Sequence, residues 1–303
     1  QSCRYVTLHN CKMPKTVCAI IACHNRRAKT IACLDALKHQ AIAQHDVSLH
    51  ALLVDDGSTD GTANAVKSQF PDVEIISGDG GLYWNGAMRL ALEHAMRRSF
   101  DYYLLLNDDT ALSPHAVQTL VTTASDKPNA IIVGATRGNA QGGISYGGLI
   151  RGPWWIPLRM SKVPLSDQAQ RCDTFNANCA LIPKAVIDMV GNLDATFTHA
   201  MGDFDLGLRA RRLGYALWVA PGVAGECEPN LGTGLWTDKS LPLSTRWQRL
   251  KGPKGLPPKE WFVFTRRHSG PFWLLYWLNP YVKFWLKGMM EALTTRQPAR
   301  GTR

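Results

Sequence analysis

Leu49-His50-Ala51-Leu52-Leu53-Val54 runs directly into Asp55-Asp56-Gly57-Ser58-Thr59-Asp60-Gly61-Thr62. The apolar run reads as a strand, and the polar residues after it read as a turn leading to a helix over roughly 62–69. Upstream, Thr16–Ala22 is a further buried strand, followed by the loop Cys23-His24-Asn25-Arg26 and a helix over Thr30–Ala43. Downstream come a strand at Val73–Ser77 and a helix at Gly86–Arg98, whose inner stripe is Met88, Ala91, Leu92 and Ala95. A strand at Tyr102–Leu106 then delivers Asn107-Asp108-Asp109-Thr110, and Ser113-Pro114 suits a helix N-cap followed by the first helical position. Strands alternating with helices predict an α/β chain with a mostly parallel central sheet flanked by helices. In such sheets ligands bind beyond the carboxyl ends of the strands, where these polar loops lie.

Further along the pattern loosens between Arg137 and Arg171, a glycine-rich stretch holding Trp154 and Trp155. It resumes with strands at Cys179–Ile182 and Ala216–Ala220 and helices at Pro183–Val190 and Asp203–Leu213, the latter closed by Gly214. There is no internal repeat.

The chain has 303 residues, 45% hydrophobic and 19% charged, which is globular composition. Its eight cysteines form no CxxC pair, and residues 1–12 lack a continuous apolar run. Both point to a reducing compartment, the cytoplasm. The net charge of +10 is uneven: from Arg246 to Lys287 nine basic residues face the single acid Glu260, among five of the ten tryptophans. That mixture suits an anionic membrane surface or a nucleic acid.

Three acidic clusters carry the chemistry. Asp55 and Asp56 close a strand, where carboxylates accept hydrogen bonds from a nucleobase or ribose or merely cap a turn. Asp108 and Asp109 follow a buried strand, and paired carboxylates there call for a hard cation, Mg²⁺ or Mn²⁺, unless they too only cap a helix. Asp203 and Asp205 open a helix two residues apart and so point in different directions, one toward the site and one toward an Arg or the helix dipole.

Taken in order, these segments resemble the family 2 glycosyltransferases of the GT-A fold, in particular bacterial rhamnosyltransferase-like enzymes of cell-surface polysaccharide synthesis. The carriers are Ala22-Cys23-His24-Asn25-Arg26, Val54–Thr62, Leu105-Leu106-Asn107-Asp108-Asp109-Thr110, Gly191-Asn192-Leu193-Asp194, Gly202-Asp203-Phe204-Asp205-Leu206-Gly207-Leu208-Arg209 and Arg212-Leu213-Gly214-Tyr215, spread over about Lys15 to Asn230. The resemblance implies a metal-assisted, inverting transfer from a UDP- or dTDP-sugar to a glycan or polyprenyl-diphosphate-linked acceptor. Asn25, Arg26, Asp55, Asp56, Asp79, Trp84, Asn85, Asn107 and Asp108 would bind the donor. Asp109 would hold the metal, and Asp203 would be the catalytic base. Trp154, Trp155, Asn178, His199 and Asp205 are the candidate acceptor contacts. Two departures stand out. Gly202 replaces an acid that often precedes the base, and Cys227 stands where the family often carries a metal-ligating His. A thiolate suits Mg²⁺ poorly, so either Glu226 or Glu228 takes that role, with Glu226 the first choice, or the third ligand is missing and the metal is held weakly.

The expected organisation is a peripheral extension at 1–14, a catalytic domain at 15–235 (nucleotide-binding half 15–110, acceptor half 111–235) and a basic, aromatic C-terminal segment at 236–303. Within that segment, Asn279-Pro280 is expected to interrupt an apolar stretch that also holds Lys283 and Lys287. An interfacial helix fits better than a spanning one, which places the enzyme peripherally on the inner face of the cell membrane. Packing on the catalytic domain or in a homo-oligomer interface is the other outcome. A sugar-phosphate nucleotidyltransferase would show a glycine-rich loop after the first strand, which is absent here. A nucleic-acid-binding protein would need no clustered acids, so no nucleic-acid partner is expected. A nucleotide-sugar-binding protein without transfer activity would share every motif and is separated only by assay.

Overall fold

The computed structural model describes residues 13–42, 47–138, 142–229 and 234–294, with side chains to residue 291. Nearly all of the expected extension at 1–14 therefore lies outside the described residues.

An eight-stranded sheet forms the centre. Its parallel half consists of β1 (Lys15–Cys23), β2 (Val47–Asp55), β3 (Glu74–Ser77) and β4 (Tyr102–Asn107), in the spatial order β4-β1-β2-β3. Beyond β4 the sheet continues through Cys179–Pro183, Ile131–Val133, Leu217–Val219 and Gln170–Cys172. The strand Cys179–Pro183 is antiparallel to both of its neighbours, and Gln170–Cys172 is antiparallel to Leu217–Val219. This makes the sheet mixed, with a parallel majority.

Period-2 alternation divides the apolar residues between two cores. Ile20, Leu52 and Leu105 face α3 (Tyr83–Met96), whose Met88, Ala91, Leu92 and Ala95 form the inner stripe read from the sequence. Ile21, Leu53, Leu104 and Leu106 face the opposite way, toward α1 (Arg27–Lys38), α2 (Thr62–Gln69) and α4 (Ala116–Asp126). Each leucine or isoleucine so buried contributes about 1.5–3 kcal/mol.

α4 begins at Ala116, two residues later than the expected first helical position. Ser113 and Pro114 are instead tied to the end of α1: the Ser113 carbonyl accepts from Gln40 Nε2 at 2.9 Å and the Pro114 carbonyl from the Ala41 N–H at 2.7 Å. The loosely patterned stretch after Arg137 forms short strands, among them Ile144–Tyr146, Gly148–Arg151 and Met160–Lys162. Strands this short carry too little periodicity to be seen in the sequence.

The chain continues with α5 (Lys184–Val190) and α6 (Gly202–Arg212), and the C-terminal segment forms α7 (Leu243–Lys251), α8 (Pro258–His268) and α9 (Trp273–Thr294). α8 packs on α6 and the loop before it. Its buried Phe264 joins Phe197, Met201 and Leu208 in a third apolar cluster. The Glu260 carboxylate accepts the Thr198 N–H at 3.1 Å and the Thr198 hydroxyl at 2.7 Å. α9 runs without a break through Pro280, against the expected interruption there. Trp277 and Tyr281 on either side of the proline are fastened to the Pro258 and Leu256 carbonyls, so packing holds the turn that the missing N–H weakens.

Candidate active site

The register places the polar loops side by side, with Cys23 opposite Asp55 and Ala22 opposite Asn107. Asn25 occupies the left-handed region with φ of 52°, a conformation Asn tolerates. From there its Oδ1 accepts the Thr59 N–H at 2.7 Å, while its own N–H donates to the Ser58 hydroxyl at 2.9 Å. Asp55 accepts the Ser58 N–H at 3.0 Å. Asp56 spreads its carboxylate over Gly80, Leu82 and Tyr83, accepting their N–H groups at 2.9, 3.3 and 3.0 Å. It thereby fixes the loop that opens α3. That loop approaches so closely that a Cβ on Gly57, itself at φ of 68°, would lie 2.8 Å from the Gly80 nitrogen. Asp79 is exposed, and its Oδ1 accepts the Gly81 N–H two residues on, at 2.9 Å.

Beside this platform lie the paired acids. The Arg26 guanidinium donates to Asp108 at 2.8 Å and to Asp109 at 2.5 Å, and Lys29 lies 3.9 Å from Asp109. Burial pushes the Asp108 carboxyl up to about 6, a rise that Arg26 opposes and Asp109 reinforces. Asn107 accepts the Trp84 indole N–H at 2.8 Å. The Cys227 thiol lies 3.5 Å from the Asp109 carboxylate and accepts from Asn178 Nδ2 at 3.3 Å. Burial, then the charge of Asp109, raises this thiol to about 11 and keeps it protonated at neutral pH. Glu226 is exposed on the two-residue strand Gly225–Glu226, yet with Asp109, Lys29, Cys33, Cys227 and Glu228 it lines a cavity of about 180 Å³.

Residues 177 and 178 tie this centre to Asp203 at the start of α6. The Asn178 carbonyl accepts the Asn107 N–H at 3.2 Å, and the Ala177 N–H donates to Asp203 at 3.1 Å. Asp203 also accepts the Phe204 N–H at 2.9 Å. Burial nonetheless raises its carboxyl to about 6, against the pull of these N–H donors. A carboxylate fixed by backbone and poised near neutrality is what general base chemistry needs. Nearby, His199 is half-buried with Nδ1 lacking a partner among the described residues, and its ring meets Tyr83 edge-on at 6.3 Å. Burial, then Lys254, lowers this imidazole to about 4, so it is neutral.

The family model for Glycosyl transferase family 2 matches residues 18–189, more than half of the chain, and these include the Asp55–Asp56 and Asp108–Asp109 clusters. The chain belongs to glycosyl transferase family 2. Among curated relatives it is similar to the N-acetylglucosaminyl-diphospho-decaprenol L-rhamnosyltransferases of Mycobacterium tuberculosis strains CDC 1551 and H37Rv, at 25% identity over 195 residues. That match takes in 56% of this chain and 62% of the relatives' length. Among solved structures, a mannosyltransferase from Pyrobaculum calidifontis in complex with GDP-mannose and Mn²⁺ superposes with a TM-score of 0.55 at 16% identity. The superposition covers 96% of this chain and 77% of that one, which establishes the GT-A architecture.

Within this family 2 chain the structure gathers Arg26, Asn107, Asp108, Asp109, Trp84, Asn178 and Asp203 around one edge. It corrects two expectations. Asn85 is fully buried, with Nδ2 donating to the Asp194 and Phe197 carbonyls at 3.0 and 2.6 Å, so it braces α3 rather than facing a donor. Asp205 is likewise fully buried, held by Arg209 at 2.7 Å, His268 at 2.9 Å and Arg267 at 3.1 Å, and cannot reach an acceptor. Trp154 and Trp155 are exposed on a turn of their own. Sequence reasoning missed Lys29, Arg267 and His268. The last two lie more than 60 residues beyond Asp205, and nothing local marks them.

Proposed function

We propose that this family 2 enzyme transfers a sugar, with inversion, from a UDP- or dTDP-sugar to a hydroxyl of a glycan carried on a polyprenyl diphosphate. The relatives' names support this acceptor class and make L-rhamnose the first sugar to test. An acceptor of this kind would place the enzyme peripherally on the inner face of the cell membrane. The observation that carries the reading is Asp203, anchored by two backbone N–H groups with its carboxyl raised to about 6, beside a cation-held pair of acids.

Asp203 would take the proton of the acceptor hydroxyl. That oxygen then attacks the anomeric carbon while the bond from this carbon to the diphosphate oxygen breaks, and the nucleoside diphosphate leaves with the bonding electrons. Arg26 and Lys29 are placed to meet the departing negative charge. Among the described residues no three His, Cys, Asp or Glu side chains form a metal cage. The hard carboxylate of Asp109 still suits Mg²⁺ or Mn²⁺ as a single anchor, with Glu226 close by, whereas the protonated Cys227 thiol suits neither ion. A bound divalent ion would supply further neutralisation of the leaving diphosphate.

The test is Asp203→Asn, assayed for transfer of rhamnose and other sugars onto a polyprenyl-diphosphate acceptor. The expected loss is about 10²–10⁴-fold in kcat with donor affinity unchanged. Near-parental turnover would remove Asp203 from the mechanism. Donor binding by the parent without transfer to any glycan acceptor would favour a binding protein instead.

A further inference from the structure

The two faces of α9 differ. On the inner face, buried Phe284 packs against Trp247 and Gly288 against Leu243, and Trp277 and Tyr281 bond to α8 and the residues before it. The outer face presents Leu275, Leu278, Val282, Leu286 and Met289, each between 40% and 65% exposed. Their spacing of three or four residues sets them on one stripe, at about 100° per residue. A surface helix normally hides such a stripe, and contiguous exposed apolar area marks a contact region. Among the described residues, no helix is long and apolar enough to cross a membrane.

A second segment joins this surface. Trp154 and Trp155 are 71% and 57% exposed. The Tyr276 hydroxyl of α9 donates to the Trp155 carbonyl, which fastens their turn to the helix.

Charge selects the occupant. Lys283 and Lys287 run along one border of the stripe, and Arg249, Lys251, Lys254, Lys259 and Arg266 are exposed in the same C-terminal segment. Between residues 246 and 291 the only acids are Glu260 and Glu291, and both are engaged, with Thr198 and Arg246 respectively. A second copy docking here through a twofold axis would bring the same cations together with no acid to offset them. Anionic lipid offsets them, while tryptophan and aliphatic side chains enter the headgroup boundary.

We propose that the outer face of α9 and the Trp154–Trp155 turn form one docking surface for an anionic lipid bilayer. The purpose of this surface rests on the lipid-linked acceptor reading, whereas its geometry does not. Docking here would reach the base helix directly. Arg267 and His268 at the end of α8 hold Asp205, two residues after Asp203, and Arg151, at the root of the tryptophan turn, donates to the His268 carbonyl.

The experiment sediments the full chain with phosphatidylcholine vesicles, with and without phosphatidylglycerol. Three double variants accompany it: Val282→Glu with Leu286→Glu, Lys283→Glu with Lys287→Glu, and Trp154→Ala with Trp155→Ala. All six side chains are exposed, so circular dichroism and donor affinity should match the parent. Expected is salt-sensitive binding to the phosphatidylglycerol vesicles only, weakened about tenfold or more in each double variant. The docking surface is overturned if the parent ignores these vesicles or the variants bind as the parent does. It is also overturned if light scattering shows a dimer that Val282→Glu with Leu286→Glu dissociates. Transfer to a water-soluble short-chain acceptor separates the two readings. The two α9 double variants should retain it, and its absence in a parent that binds vesicles would count against the acceptor reading alone.

Discussion

At position 202 a Cβ would lie 1.7 Å from Asn85 Oδ1, so the glycine where the family often carries an acid is dictated by a side chain from α3. Gly202→Ala should destabilise by about 1–3 kcal/mol through overpacking, despite the helical preference for alanine. Urea denaturation of Gly202→Ala, Asn85→Ala and the double variant should show strong non-additivity, because the second change removes the clash made by the first; simple addition would place the strain elsewhere. Asp203 carries a different tension. Its folded value near 6 lies above the ordinary 3.8, so its contribution to stability is present below the unfolded value and lost as pH rises through about 6. Asp203→Asn should therefore be more stable than the parent at pH 8 and nearly equal to it at pH 4. The parent's kcat should fall about tenfold per pH unit below 6, as the base becomes protonated. A flat pH–rate profile across 5–7 would contradict this. The acids themselves were legible because each ends a strand or opens a helix. The bracing role of Asn85 and the contacts of Asp205 with Arg267 and His268 were not, because burial depends on what arrives from distant parts of the chain.

At the scale of elements, the decisive junction is between α6 and α8. Burial raises the Asp205 carboxyl, but the bonds from His268 and Arg209 outweigh it and hold the group at about 2. A depressed value means that the stabilisation is present above about 3.8 and lost as pH falls toward 2. Asp205→Ala should cost about 3–5 kcal/mol at pH 7, since it leaves Arg209 and its neighbours without their buried partner. The deficit relative to the parent should shrink between pH 4 and 2. His268→Ala should cost about 1–3 kcal/mol, because Arg209 still holds the carboxylate. If the junction positions the base, His268→Ala should also lower kcat without changing donor affinity and leave the pH midpoint of Asp203 in place. A change confined to stability would make it structural only. Element types followed from periodicity, but element ends did not. α4 starts late because Ser113 and Pro114 serve α1, and α9 continues through Pro280 because its neighbours are bonded to α8 and the residues before it.

Across the whole molecule, the parallel half of the sheet was readable because each strand is followed by a helix with its own apolar stripe. The antiparallel strand Cys179–Pro183 was not, since nothing in five apolar residues states their direction. Yet that reversal sets Asn178 beside Asn107 and Cys227, joining the two halves of the site. The C-terminal segment was legible in composition and opaque in placement: its aromatic and basic residues announced a surface, while Phe264, Glu260 and His268 turn out to complete the catalytic body. Truncation should expose that division. A chain ending at residue 269 keeps α8, with Phe264 on Phe197 and Met201, Glu260 on Thr198 and His268 on Asp205. It should retain a cooperative unfolding transition and donor binding, at reduced stability, since Trp247 and Trp261 lose their cover from α9. A chain ending at residue 256 loses α8 as well, stripping the buried Asp205 of His268 and Arg267 and opening the Phe197 cluster to water. It should lose cooperative unfolding and transfer activity, as read by calorimetry and by sugar incorporation from the donor. If both truncated chains unfold alike and bind donor alike, α8 is not part of the catalytic body.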